Sequence, residues 1–189
     1  MSINIIESYL KNVNDTLSKV SVDKIDAAIT LIQNAYLSKQ TIFIIGNGGS
    51  AATSSHLAED LSKGCACDGK PSLKALSLTD NTPLLTALSN DYCYEDVFKK
   101  QLEIFYQPKD MLIAISASGN SKNIVRAVDY VKGNYGTVIG LTGFKGGYLY
   151  EKSDVALHVP FDDFGIVEDL HLMISHIVTE SMKHFIKKL

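Results

Sequence analysis

His56 and Asp60 stand four residues apart in the stretch TIFIIGNGGSAATSSHLAEDLS, residues 41–62. On a helix that spacing puts an imidazole and a carboxylate on one face, about one turn apart. Such a pair can do acid–base work, although the plainer reading is a solvated surface pair. The segment ahead of it favours chemistry. Residues 41–45 are β-branched and apolar, as a strand buried on both faces should be. Gly46, Gly48 and Gly49 then allow a tight turn and a close backbone approach to a ligand. Ser50 falls at the expected helix N-cap, with the helix running on through residues 51–62. A strand, a glycine turn and a helix N-terminus leave amide N–H groups pointing outward with partial positive charge behind them, which makes an anion site. An anion cradle on the element that carries His56 and Asp60 predicts a phosphorylated substrate with chemistry beside it.

A second cradle is expected in ISASGNSKN, residues 115–123. Ser116, Ser118 and Ser121 offer hydroxyls, Gly119 permits the turn, and a helix opens at 121. These loops need a frame that brings them together. Segments 41–45, 73–78, 111–116, 137–142 and 154–159 read as strands. Between them lie helical stretches at 51–62, 94–105 and 121–132, a short helix or turn at 82–88, a helical turn at 147–152, a loop at 160–165 and a long helix over 166–187. Alternating β and α segments predict an α/β fold of three layers, α/β/α, around a doubly wound, flavodoxin-like sheet of five parallel strands. In a 2-1-3-4-5 order the first and third strands are neighbours whose following helices leave on opposite faces, and ligands bind in the crevice this opens. Both cradles follow those two strands. Residues 2–18 and 25–37 add two N-terminal helices; the sheet does not need the first, which is expected to pack on another chain. Residues 1–189 read as one domain, with 1–40 as its N-terminal helical part.

Bulk properties narrow the class. A net charge of −3 leaves no nucleic-acid footprint. No apolar run approaches the ~20 residues that span a bilayer, and the N-terminus has no signal-peptide plan, so no membrane partner is expected. Cys65, Cys67 and Cys93 make no disulfide framework, and the expected location is the cytoplasm.

Taken together, GNGGSAATSSHLAEDL, SNDYCYEDVF, ISASGNS, LTGFKGG and VEDLHLMISH resemble the sugar isomerase (SIS) domain family. More narrowly they are similar to the phosphoheptose isomerases, or sedoheptulose 7-phosphate isomerases, over nearly the whole chain. The resemblance implies a homotetramer with active sites shared between subunits. It implies isomerisation of sedoheptulose 7-phosphate, a phosphorylated seven-carbon sugar, to D-glycero-D-manno-heptose 7-phosphate, the first step towards bacterial heptose for lipopolysaccharide or capsule. Matched residue by residue, it implies backbone contacts to substrate from Asn47, Gly48 and Gly49, with Ser50 nearby. Asn90 and Asp91 would meet sugar hydroxyls, and Ser116, Ser118 and Ser121, with Ala117 between them, would hold the phosphate. One zinc per active site would fall to His56, Asp60, Glu168 and His176, with Glu168 also touching substrate.

Four positions depart from the family pattern. Asp60 stands for a glutamate, Glu168 for a glutamine, Ala117 for a threonine and Gly165 for an aspartate. Asp60 shortens the reach while Glu168 restores a carboxylate, and the two changes are expected to compensate. Two imidazoles and two carboxylates would balance a divalent zinc and leave it a weaker Lewis acid.

Aldose–ketose isomerisation moves a proton between adjacent carbons through an enediol, which takes a base, an acid at the carbonyl oxygen and stabilisation of the oxyanion. Asp60, Glu168 and His176 are the candidate catalytic groups. Glu168 and His176 lie eight residues apart, or about 12 Å along a helix. Either Glu168 precedes regular helix or the site combines two subunits; the second is expected. His171 is expected to pack, Cys65 and Cys67 to lie in a loop, and Cys93 to be buried. Competing functions are a non-catalytic SIS-domain protein of the kind that binds the bacterial replication initiator, and an isomerase of another sugar phosphate. A dinucleotide site at GNGGSA would need an acidic residue ending the next strand. That strand ends Ser77-Leu78-Thr79, and Asp68 lies in a loop.

Overall fold

Five short apolar runs pair as one sheet in the structure, a computed structural model that describes residues 2–189. The strands are β1 (Thr41–Gly46), β2 (Lys74–Ser77), β3 (Met111–Ser116), β4 (Thr137–Thr142) and β5 (Val155–His158). They run parallel in the order β2-β1-β3-β4-β5, the doubly wound arrangement expected from the alternation of elements. Strand periodicity divides the core in two. Ile42, Ile44, Met111, Ile113 and Ile115 point into one half, and Phe43, Ile45, Leu112 and Ala114 into the other.

The first half is covered by α2 (Val22–Leu37), α3 (Gly49–Glu59) and α8 (Phe164–Lys188). The second is covered by α5 (Val97–Phe105), α6 (Lys122–Gly133) and α7 (Gly147–Lys152), with Leu85 and Leu88 of α4 (Thr82–Asp91) at its margin. The helices that follow β1 and β3 therefore leave on opposite faces, and a crevice opens at the carboxyl ends of those strands. The Asp110 carboxylate pins the other end, accepting from the Thr41 N–H at 2.8 Å and the Gln107 N–H at 2.9 Å. Helix α1 (Ser2–Leu17) lies outside this frame, with Val13 against the core and Ile3, Ile5, Ile6 and Leu10 more than half exposed. No helix among the described residues is long and apolar enough to cross a membrane.

Several boundaries differ from the expected ones for local reasons. Helix α8 begins at Phe164, because the Asp163 carboxylate accepts from the Ile166 N–H at 3.1 Å and caps it. Glu168 thus lies inside regular helix, and the option that it precedes the helix is removed. Helix α3 stops at Glu59 and passes into a π turn, Asp60–Gly64, closed by the Cys65 N–H donating to the Asp60 carbonyl at 2.9 Å. A 3₁₀ turn, Tyr94–Asp96, precedes α5. Cys93 is half-buried rather than buried, because its sulfur sits 3.3 Å from the Arg126 guanidinium and 3.4 Å from the Asp96 carboxylate.

His171 packs in the core, 1% exposed. Its Nε2–H donates to the Thr142 carbonyl at 3.1 Å, while Nδ1 has no partner among the described residues. Burial pushes its pKa down from 6.5 to about 4. Between those values the unfolded chain binds a proton that the folded chain refuses, so stability is lost as pH falls through this window. The full loss is about 3 kcal/mol. Urea melts from pH 7 to pH 4 should show this slope, and His171→Leu should flatten it relative to wild type.

Candidate active site

Beyond Gly46 the chain turns on Gly48, whose φ of +55° and ψ of −123° suit a residue without a side chain. The Gly48 carbonyl accepts from the N–H groups of Ala51 and Ala52, at 3.0 and 3.2 Å. Helix α3 accordingly opens at Gly49, and Ser50 is its second residue rather than its N-cap. The loop after β3 closes beside it. Asn47 Oδ1 accepts from Asn123 Nδ2 at 2.8 Å and from the Tyr94 hydroxyl at 2.7 Å, while Asn47 Nδ2 donates to Asn123 Oδ1 at 2.9 Å. Asn123, 2% exposed in the first turn of α6, thereby ties the two loops together.

A pocket lies between them. Asn47 and Ser50 line it from the first loop, and Ser116, Ala117, Ser118 and Ser121 from the second. Phe164 and Glu168 close it from α8, and no lysine or arginine contributes. An anion here would be held by hydroxyl and amide dipoles at the starts of α3 and α6. The Glu168 carboxylate packs directly on Gly49: a Cβ there would meet its Oε2 at 2.1 Å and its Cδ at 2.5 Å. Its charge thus lies at the positive end of α3.

Further along the same two helices is a second group. His56 Nε2 lies 3.7 Å and His176 Nε2 4.0 Å from Asp60 Oδ2. The imidazoles meet edge to face with centroids 5.1 Å apart, and one donor atom from each of the three residues lies within 4.8 Å of the others. Two imidazole nitrogens and a carboxylate oxygen are a donor set that suits a divalent transition metal with an open position. Glu168 stands apart from them, two turns back on α8. Within one chain the expected four-residue set is therefore three residues, with one carboxylate to balance the ion. Asn90 and Asp91 close α4 as exposed residues, hydrogen-bonded to each other at 3.0 Å and off the pocket wall.

Sequence reasoning missed Phe164, Asn123 and Tyr94. Phe164 was hidden by placing the start of α8 two residues late. Asn123 and Tyr94 act through partners 76 and 47 residues away, and no local signal marks them.

A five-stranded parallel sheet with two polar loops meeting at its switch point is a doubly wound α/β fold, and the family model of the SIS domain matches residues 8–143. A phosphoheptose isomerase of Clostridium acetobutylicum is 37% identical over 94% of this chain and 92% of its own. The solved phosphoheptose isomerase of Neisseria gonorrhoeae is 29% identical, with a TM-score of 0.86 over 96% of each chain. That of Francisella tularensis is 26% identical, with a TM-score of 0.88 over 97% of this chain and 99% of that one. The chain belongs to the phosphoheptose isomerases of the SIS-domain family.

Gly49→Ala tests the packing of Glu168. The new methyl must displace the carboxylate, whose end is flexible, so the fold should survive with a nearly unchanged thermal midpoint. Turnover of a sugar phosphate should drop in kcat/KM by about 100-fold, as for a misplacement of about an ångström.

Proposed function

We propose that this chain is an aldose–ketose isomerase that converts sedoheptulose 7-phosphate to D-glycero-D-manno-heptose 7-phosphate through an enediol. One observation carries the reading beyond family membership: the same two helices furnish both an anion cup and an acid–base cluster. Helix α3 supplies Ser50 to the cup and His56 to the cluster, and α8 supplies Glu168 and His176. The phosphate sits against Ser116, Ser118 and Ser121, and its binding energy holds the reacting carbons in place. Asn47, Gly48 and Gly49 face the sugar, and Asn90 and Asp91, which lie off this chain's pocket wall, meet its hydroxyls in the shared site.

A carboxylate, Asp60 or Glu168, takes a proton from C1 of the ketose while His176 donates one to the C2 carbonyl oxygen. That gives the enediol. Return of a proton to C2 and loss of the O1 proton give the aldose. His56, Asp60 and His176 would hold a zinc ion, which when bound would supply polarisation of the carbonyl in place of the His176 proton and leave Glu168 as the base.

The enzyme acts as a homotetramer with shared sites. The exposed apolar face of α1 supports this, as does the separation of Glu168 from His176 on one helix. The chain is one domain, works in the cytoplasm, and feeds heptose for lipopolysaccharide or capsule. Retention of both imidazoles and both carboxylates favours catalysis over a purely binding role.

Metal content and turnover of sedoheptulose 7-phosphate, measured on the same preparation, test the proposal. Wild type should carry zinc and make the aldose, and His176→Ala should lose both, with activity down by at least ~100-fold. Metal-loaded wild type that yields no product would point to the binding role. A monomeric form with full activity would overturn the shared site.

A further inference from the structure

We infer that Asn120 is a positioning residue, which keeps the backbone carbonyls of the phosphate cup engaged elsewhere by bracing the cup against the loop after β4. The inference rests on the proposal that the cup after β3 binds the substrate's phosphate. The cup has no cationic side chain, and Glu168 lines it. An anion there depends on N–H and O–H dipoles, and any carbonyl oxygen turned inward would repel it.

All four carbonyls from Ser116 to Gly119 are engaged elsewhere. That of Ser116 accepts from the Gly119 N–H at 3.0 Å and that of Ala117 from the Gly143 N–H at 2.8 Å. The Gly119 carbonyl accepts from the Leu149 N–H at 3.0 Å, and the Ser118 carbonyl from Asn120 Nδ2 at 3.0 Å. Asn120 is the one side chain among these donors. Its Oδ1 also accepts from the Tyr148 N–H at 3.0 Å, so a single amide bridges the cup to the first turn of α7. Its backbone N–H donates to Ser118 Oγ at 3.3 Å. With that oxygen serving as acceptor, the Ser118 hydroxyl proton is free to point at an anion.

The brace needs backbones in contact. At Gly119, φ +66°, a Cβ would fall 1.8 Å from the Gly146 carbonyl oxygen. At Gly147, φ +58°, it would fall 2.5 Å from both Asn120 Nδ2 and the Ser118 carbonyl oxygen. This accounts for Gly147 of LTGFKGG, to which the reaction itself assigns no role.

Inorganic phosphate, titrated calorimetrically into metal-loaded wild type, Asn120→Ala and Asn120→Asp, tests the brace alongside steady-state kinetics. Asn120→Ala should bind phosphate roughly five- to tenfold more weakly, the effect of one positioning hydrogen bond. KM for the sugar phosphate should rise by the same factor with kcat within about twofold, a split that general loss of structure would not give. Asn120→Asp should weaken phosphate further, because it sets an oxygen against the Ser118 carbonyl and adds negative charge. Being the same shape, it also serves if the alanine variant fails to fold. Unchanged phosphate affinity in the variants would overturn the inference, as would a loss confined to kcat. Wild type that binds phosphate but turns over no sedoheptulose 7-phosphate, with binding weakened in Asn120→Ala, would leave the brace standing and remove the proposed function. Wild type that binds no phosphate would remove both.

Discussion

Neighbouring parallel strands that send their helices to opposite faces cannot close the gap at their carboxyl ends, and everything at this site answers to that constraint. The loops after β1 and β3 must meet across the gap with their polar backbone satisfied. The reciprocal amide pair of Asn47 and Asn123 does so, with Tyr94 as a third partner. Because Asn123 is buried, an unpaired amide there would cost about 1–3 kcal/mol, several times what a solvated one would. The two cups are thereby held in one register. A hydrophobic pair could not set that register, since it carries no direction.

The electrostatic arrangement separates two tasks along α3 and α8. At the sheet end, dipoles without cations line the pocket, and a carboxylate rests on the positive end of α3. Further along, two imidazoles and a carboxylate gather with one donor atom of each within 4.8 Å of the others. Neutral dipoles suit a group that must leave with its product, because an anion held by a buried cation is slow to release. The group that could hold a metal is more open, with the two histidines about half exposed.

The departures from the family pattern acquire local meaning. Asp60 opens a π turn, and such turns reset the direction of side chains on a helix and recur at functional sites. A Cβ at Gly165 would come within 3.0 Å of the Tyr9 hydroxyl. That hydroxyl donates to the Asp169 carboxylate at 2.7 Å, which holds the phenol pKa up at about 12. The glycine thus makes room for a tie between α1 and the turn of α8 that carries Glu168. Nothing in the structure explains the alanine at position 117.

The sheet, its strand order and the two loops after β1 and β3 were legible from residue order alone. Strand periodicity, glycine turns and helix signals are local, and parallel strands with helical crossovers leave few topologies to choose from. The likeness of GNGGS, ISASGNS and the C-terminal helix to one family was legible in the same way. Element ends were less so: Gly48 took the capping geometry expected of Ser50, and Asp163 began α8 early. What only the tertiary structure decided were relations between distant residues. These include Asn47 against Asn123, Glu168 against Gly49 instead of beside His176, and Asn120 bridging to Tyr148. Each is set by how closely two backbones approach, and that distance comes from packing across the whole core, which no stretch of chain encodes by itself.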